Sequence, residues 1–496
     1  MCSVRRRTRF APSPTGFMHI GNLRSALYAW LVAKSHDGDF ILRIEDTDRD
    51  RYVEGATELI YETLAECGLS HDEGPDVGGP CGPYVQSERL SHYRPFAEKL
   101  VEEGKAYRCF CTKERLENLA EARESGEGES SFGYDRHCRD LSPEEIQKNL
   151  DEGKPYVIRQ KMPLEGETTY HDEVYGDITI ANKELEDQIL LKSDGFPTYN
   201  FANVIDDHEM GITHVVRGCE YLSSTPKYNL LYEAFGWEKP VYIHLPLILG
   251  TDGKKLSKRH GATSFADLHK EGYLTAAILN YIAFLGWAPG SDTREIFSLE
   301  ELRGVFDEKH ISKAPAVFDY QKLRWMNGEY LKALDDEAFA DYIRPYTQAF
   351  YEGTELRPEA ESMIAEILHS RIESGADLAG MLSFLKAPAE HGSDLYLNKK
   401  QKLTPALSRR VLEAVCQACS SLEQWDKSSI YDSLMGLKET LALKTGQVMG
   451  PPRLALSGQQ VTPGGAVEIM TILGREESLA RMQSEIEKLP EAEPEA

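Results

Sequence analysis

The sequence predicts a doubly wound α/β domain, interrupted by an insertion and followed by a long helical region. Three observations predict it. The first ~70 residues alternate strand and helix patterns. A cysteine-bearing, polar segment then breaks the alternation from about Ser87. Beyond Lys255 the patterns are mostly helical to the end.

Arg7 to Ala11 reads as a short strand, Pro12 to Gly16 as a turn, and Leu23 to Ser35 as a helix with Leu27, Trp30 and Leu31 on one side. Asp39 to Ile44 is a buried strand that runs into the acidic cluster Glu45-Asp46-Thr47-Asp48, and Val53 to Cys67 is an amphipathic helix. A parallel sheet of this kind takes ligands at the carboxyl ends of its strands. The insertion holds cysteines from Cys109 to Cys138 around a Glu-, Gly- and Ser-rich stretch, Glu121 to Ser131, followed by strand-like runs at Tyr156 to Lys161 and Asp177 to Ile180. The α/β manner resumes near Tyr199 to Ile205, with strands at His214 to Arg217 and Tyr242 to Leu245. Breaks in the helical remainder are expected at Ala288-Pro289-Gly290-Ser291, Gly353 and Gly450-Pro451-Pro452.

Composition bounds the function. The chain has 496 residues with 56 Lys+Arg against 81 Asp+Glu, a net charge of −25, and 41% apolar residues. That apolar share excludes wholesale disorder, and the length suits two to four domains. The acidity argues, on its face, against a nucleic-acid partner. Nine scattered cysteines are no disulfide framework, no stretch approaches the ~20 apolar residues of a membrane span, and no leader is evident. A reducing cytoplasm is expected, with a frayed acidic tail from Leu489 to Ala496.

Two motifs carry chemistry. Pro12-Ser13-Pro14-Thr15-Gly16-Phe17-Met18-His19-Ile20-Gly21-Asn22 lies between the first strand and its helix, where backbone N–H groups and the helix dipole attract phosphate. Gly253-Lys254-Lys255-Leu256-Ser257-Lys258-Arg259-His260-Gly261 is a glycine-flanked loop of cations that could close on a triphosphate. Alone, the first is compatible with a surface turn and the second with a solvated basic loop. Together, an H-I-G element after the first strand and a K-x-S-K loop resemble the class I aminoacyl-tRNA synthetases.

Longer runs resemble the glutamyl-tRNA synthetases, bacterial type: Arg9 to Gly16, Arg43 to Asp48, Pro197 to His208, Val216-Arg217-Gly218, Ile311 to Asp319, Arg453 to Gly458 and Ile472 to Glu476. The resemblance implies a Rossmann-like class I catalytic domain with an α+β insertion, followed by a stem-contact region and an all-α C-terminal anticodon-binding part. The implied divisions are catalytic halves at 1–90 and 199–254, an acceptor-binding insertion at 91–198, a lysine-loop and stem-contact region at 255–335, and an anticodon-binding region at 336–496. It also implies ATP-dependent attachment of L-glutamate to tRNA(Glu) through a glutamyl-adenylate, with Mg²⁺ accompanying ATP.

The implied glutamate site is Arg9, Ala11, Ser13, Glu45, Tyr199, Asn203 and Arg217. Arg9 would read the side-chain carboxylate and Glu45 the α-amino group, although the two could instead form a structural ion pair. For ATP the resemblance points to Ser13, Thr15, Gly16, His19, Gly21, Asn22, Glu220, Leu256 and Lys258. His19, Gly21, Lys255, Ser257 and Lys258 are the implied catalytic set, with Lys258 stabilising the transition state.

Cys109 and Cys111, with Cys138 a loop away, suit a structural Zn²⁺ or stand as unligated thiols; the fourth ligand is open between Tyr134 and Asp140. Cys416 and Cys419 fall in a helical pattern and read as core. Lys399-Lys400-Gln401-Lys402 and Arg409-Arg410 are either a phosphate contact or a solvated face. A monomer without membrane attachment is expected. The alternatives are a glutamyl-queuosine tRNA synthetase and a catalytically silent tRNA-binding paralogue.

Overall fold

The structure, a computed structural model, describes residues 5–47, 53–124, 134–290, 293–352 and 356–492, without the side chains of residues 120, 123, 124 and 258. Asp48, residues 125–131 of the polar stretch, Ser291, Gly353 and the last four residues of the tail lie outside the described part.

A parallel pair begins the chain. Strand β1 (Arg7–Phe10) lies beside β2 (Asp39–Leu42), Arg7 opposite Asp39 and Phe10 opposite Leu42, with helix α1 (Ile20–Lys34) between them in sequence. All four residues of β2 are buried, as is most of α1, including the whole run from Ala26 to Ala33. Helix α1 starts three residues earlier than its apolar pattern suggests because His19 caps it: the Nδ1 of His19 accepts the Gly21 N–H at 3.1 Å. Helix α2 (Ala56–Glu66) starts later than expected, after Gly55 at φ +80°. Val53 is spent on a loop contact, its N–H bonding the Pro14 carbonyl.

The insertion begins with α3 (Leu90–Glu102) and β3 (Ala106–Cys109), then α4 (Lys113–Glu124), α5 (Pro143–Asp151) and β4 (Val157–Gln160). A hairpin of β5 (Glu167–Asp172) and β6 (Gly176–Ala181) follows, then β7 (Ile189–Leu191). Strands β3, β4 and β7 form one antiparallel sheet. The hairpin does not join it. Beyond α6 (Tyr199–Glu209), β8 (His214–Gly218), α7 (Thr225–Phe235) and β9 (Val241–Leu245), the hairpin completes a four-stranded sheet in the order β6-β5-β9-β8. There β8 runs parallel to β9, and β5 joins β9 at Asp172 opposite Tyr242. The segment Tyr199 to Ile205 is helical, part of α6. Strand β8 also meets β1, where the Thr213 N–H donates to the Arg7 carbonyl at 2.9 Å.

The chain folds as two units, Met1–Leu268 with Ile278–Asp319, and His269–Ala277 with Tyr320–Ala496. The second is helical, with Phe339, Ile364, Val411, Leu412, Val415, Cys419 and Met470 in its core. Cys416 packs against the same core, so this cysteine pair is indeed packing material. Gly450-Pro451-Pro452 is not a break. It lies inside the helix Thr445–Ser457, with both prolines buried, and the helix ends at Gly458 with φ +68°. Packing outweighs the two lost N–H donors here. The tail is anchored further than expected: Leu489 is buried and its carbonyl accepts from Arg409 at 2.7 Å. Arg409 also pairs with Glu413 and Glu491, while Lys399, Lys400, Lys402 and Arg410 are exposed. Among the described residues no helix is long and apolar enough to cross a membrane.

Candidate active site

The carboxyl ends of β1, β2 and β8 open into a cleft of about 1060 Å³. Its walls include Arg9, Ala11, Ser13, Thr15, Asn22, Glu45, Tyr199, Arg217 and Glu220. Nine of the expected residues therefore meet in one place. Gly16, His19, Gly21, Asn203, Lys255, Leu256 and Ser257 are not among the lining residues. Asn203 is buried behind it, its Nδ2 donating to the Tyr199 carbonyl at 2.9 Å. The walls also hold Thr47, from the Arg43–Asp48 run, and Lys192, Asp194, Phe196 and Tyr221, which carried no sequence signal.

Behind Arg9 lies a buried charge network. Arg9 Nε donates to Asp207 at 3.0 Å and its Nη1 to the Val216 carbonyl at 3.3 Å. Arg43 donates to the same Asp207 oxygen at 2.7 Å and to Glu45 at 3.0 Å. Arg89 and Gln86 donate to Asp206 at 2.7 and 2.9 Å. Arg9 and Glu45 are thus not partners of each other; each is held by another residue. Three guanidiniums face three carboxylates, all nearly excluded from solvent, so each charge stays compensated. Arg9 and Arg43 hold the Asp207 carboxyl below the usual range, against burial, which pushes the other way. Glu45 differs: burial pushes its carboxyl up to about 7, against the pull of Arg43 and Arg9.

On the opposite wall Arg217 donates from Nε to His244 Nε2 at 3.1 Å and from Nη2 to Thr225 at 2.8 Å. Its guanidinium carbon lies 5.1 Å from the ring centre of Tyr221 and 4.7 Å from that of Tyr228. Neither arginine has all its donors committed. Arg9 Nη2 and Arg217 Nη1 make no hydrogen bond to the described residues.

Beside the cleft, the first motif is stitched to the segment that follows the second. The Ile20 N–H donates to the Thr263 carbonyl at 2.9 Å and the Phe265 N–H to that of Met18 at 3.2 Å. Because Nδ1 of His19 accepts from Gly21, the neutral ring carries its proton on Nε2. In the cationic loop Lys255 is exposed and Leu256 buried, its N–H bonded to the Ile248 carbonyl. Ser257 N–H donates to His260 Nδ1 at 3.0 Å, which leaves His260 Nε2 to donate to Asp252 at 3.0 Å. Lys258 starts a short helical turn, Lys258–His260.

In the insertion the sulfurs of Cys109, Cys111 and Cys138 all lie within 4.8 Å of one another, and those of Cys111 and Cys138 are 3.6 Å apart. Tetrahedral zinc, with Zn–S bonds of about 2.3 Å, puts ligand sulfurs about 3.8 Å apart, so the triad fits. The Tyr134 hydroxyl is 3.2 Å from the Cys109 sulfur and 4.0 Å from that of Cys111. Asp140, by contrast, is 86% exposed and pairs with Lys161.

A doubly wound sheet with an H-I-G turn and a K-x-S-K loop beside a cleft at its carboxyl edge defines a class I aminoacyl-tRNA synthetase catalytic domain. The family model "tRNA synthetases class I (E and Q), catalytic domain" matches residues 5–325, and "Anticodon binding domain" matches 327–486. Among curated relatives, the glutamate–tRNA ligase of Clostridium botulinum (strain Hall) is 56% identical over 97% of this chain and 98% of its own length. That of Clostridium novyi (strain NT) is 54% identical over 98% of both. A crystal structure of a glutamate tRNA ligase from Elizabethkingia meningosepticum, in complex with its amino acid, is 38% identical with a TM-score of 0.87, covering 98% of this chain and 100% of that one. The chain belongs to the glutamate–tRNA ligases of class I.

Proposed function

We propose that the cleft binds L-glutamate and ATP, joins them as glutamyl-adenylate, and passes the glutamyl group to the terminal adenosine of tRNA(Glu). One observation carries this reading: the buried charged groups lining the cleft are two guanidiniums and one carboxylate, Arg9, Arg217 and Glu45. Glutamate offers the complement, two carboxylates and one ammonium. Arg9 takes the side-chain carboxylate, Arg217 the α-carboxylate and Glu45 the ammonium, with Ser13, Tyr199 and Asn203 completing the pocket and Ala11 leaving room for the substrate chain. Glutamine is disfavoured because its amide cannot satisfy a desolvated guanidinium as a carboxylate does.

ATP enters as its Mg²⁺ complex along the first motif. Thr15, Asn22 and the backbone at Gly16, Gly21 and Leu256 border it, and Glu220 faces the ribose side. His19 donates its Nε2 proton to a phosphate oxygen. The glutamate α-carboxylate then attacks the α-phosphorus in line, and the bond to the pyrophosphate oxygen breaks. No side chain forms a covalent bond; positioning and charge neutralisation suffice. Lys255 and Lys258, held in place through Ser257, neutralise the charge that develops on the phosphates.

A structural zinc held by Cys109, Cys111 and Cys138, with Tyr134 as fourth ligand, braces the insertion; the sulfur spacing and the inward hydroxyl support this set over Asp140. When bound, the metal supplies no chemistry beyond fixing the fold. The helical second unit reads the anticodon, in keeping with the family model that matches it. Labelled glutamate should be charged onto purified tRNA(Glu) and not onto tRNA from which the terminal adenosine has been removed. Failure to charge any tRNA overturns the reading.

A further inference from the structure

The least expected group in the molecule lies beneath Arg217. Asp172 and His244 are both fully buried, and His244 Nδ1 lies 2.6 Å from Asp172 Oδ2. On the far side of the ring, Arg217 Nε is 3.1 Å from His244 Nε2. A guanidinium N–H can only donate, so His244 Nε2 must present a lone pair. The ring is therefore neutral with its proton on Nδ1, and that proton goes to Asp172. Burial, the largest influence, lowers the His244 pKa and keeps the ring neutral, although the Asp172 hydrogen bond opposes it.

The other carboxylate oxygen is committed too. Asp172 Oδ1 accepts the backbone N–H groups of Val174 and Tyr175 at 3.0 and 2.8 Å, and Oδ2 accepts that of His244 at 3.1 Å. The carboxylate is locked by the turn of its own hairpin. It can serve only as an acceptor for the imidazole, and so it selects the tautomer.

We propose that Asp172 and His244 are positioning residues for glutamate recognition: they hold Arg217 by its Nε so that its remaining N–H groups meet the substrate carboxylate. This rests on the reading that Arg217 binds glutamate. Neither residue lines the cleft. Asp172 lies at the end of β5, in the inserted segment, so the insertion contributes the far end of a hydrogen-bond chain that ends in the amino-acid pocket.

The chain makes a directional demand. In Asp172→Asn, the amide oxygen is retained by the Val174 and Tyr175 N–H groups, so the NH₂ faces His244 and gives up the single bond that Oδ2 accepted from the His244 backbone N–H. It then donates to Nδ1, which moves the ring proton to Nε2 and sets it against the Arg217 Nε–H. Aminoacylation kinetics at saturating tRNA should show the glutamate KM rising about tenfold or more, the worth of a charge-assisted hydrogen bond, with the ATP KM near that of the parent. His244→Gln keeps an acceptor for Arg217 and should recover part of the loss that His244→Ala shows; it also carries the test if Asp172→Asn does not fold. Thr169→Val is the control. It removes a hydrogen bond to the Thr179 hydroxyl from the exposed face of the same strand, away from the chain, and its glutamate KM should stay at the parent value.

An unchanged glutamate KM in Asp172→Asn overturns the proposal, as does an equal rise for ATP, or a rise in Thr169→Val as large. Arg217→Ala separates the two levels. If it leaves the glutamate KM unchanged, the reading of Arg217 itself fails. If it raises that KM while Asp172→Asn and His244→Ala do not, only the positioning role fails.

Discussion

Asp207 Oδ1 is shared by two guanidiniums: Arg9 Nε at 3.0 Å and Arg43 Nη1 at 2.7 Å. One carboxylate thus fixes both the cation that faces the cleft and the cation that steadies Glu45. Removing it strands the buried Arg9 and leaves Arg43 with Glu45 at 3.0 Å and Asp206 at 3.8 Å. Asp207→Ala is expected to cost about 3–5 kcal/mol, the usual range for breaking a buried pair. A thermal melt of the whole chain, followed by near-UV circular dichroism, would show it, and a melting temperature close to the parent's would contradict it.

The raised carboxyl at Glu45 has a direction. With its pKa near 7 in the free protein, the group is partly protonated below that pH and cannot pair with the substrate ammonium. The glutamate KM should therefore rise as pH falls through 7, and Glu45→Gln should be high and nearly pH-independent. Stability runs the opposite way. A carboxyl whose pKa is higher folded than unfolded favours the folded state at acid pH, and that contribution is lost as pH rises through the folded value. Glu45→Gln should accordingly melt no lower than the parent at mildly alkaline pH while binding glutamate worse.

Zinc analysis of the purified protein should find one ion per chain. Cys111→Ser and Cys138→Ser should lose it, Tyr134→Phe should release it at lower chelator concentration, and Asp140→Asn should match the parent. Retention of the metal in Tyr134→Phe together with loss in Asp140→Asn would reverse the fourth-ligand assignment.

Lys258→Ala should lower kcat about 10²–10³-fold, as removal of a single charge-stabilising group does, with the melting temperature unchanged. A variant charging at the parent rate would remove Lys258 from the mechanism.

Gly250 makes a subtler test of the same loop. A Cβ there would come within 2.5 Å of the His260 ring, the ring that ties Ser257 to Asp252. Gly250→Ala should displace the loop and lower kcat about tenfold or more, with the glutamate KM little changed. Measuring both constants distinguishes this from damage to the amino-acid pocket.

What could be read from the sequence was whatever is local. The H-I-G turn, the cationic loop and the alternation around Phe10 and Ile41 are contiguous patterns, and the α/β reading with a helical remainder follows from them. Cys419 announced itself by helical spacing among Val411, Leu412 and Val415. Long-range assembly was not legible. Asp206 and Asp207 sit in a run recognisable only as a motif, and nothing in it says that they balance Arg9, Arg43 and Arg89 from the far end of the catalytic fold. Lys192 and Tyr221 reach the cleft through tertiary placement alone. Gly450-Pro451-Pro452 misled because local breaker chemistry was overruled by burial. Tyr134, four residues before Cys138, and Asp140, two after it, are both within ligand spacing; only the direction of the phenol separates them.

The membership of β5 in the sheet of β8 and β9 constrains how this chain can be dissected. A minimal catalytic core made by excising the whole insertion would unzip one edge of that sheet and expose the β9 backbone, an unprotected strand edge open to aggregation. A trimmed version that keeps the β5–β6 hairpin while removing the cysteine-bearing lobe respects the hydrogen-bond ladder. The boundary useful to an engineer therefore runs through the insertion, on the near side of Glu167, rather than around it.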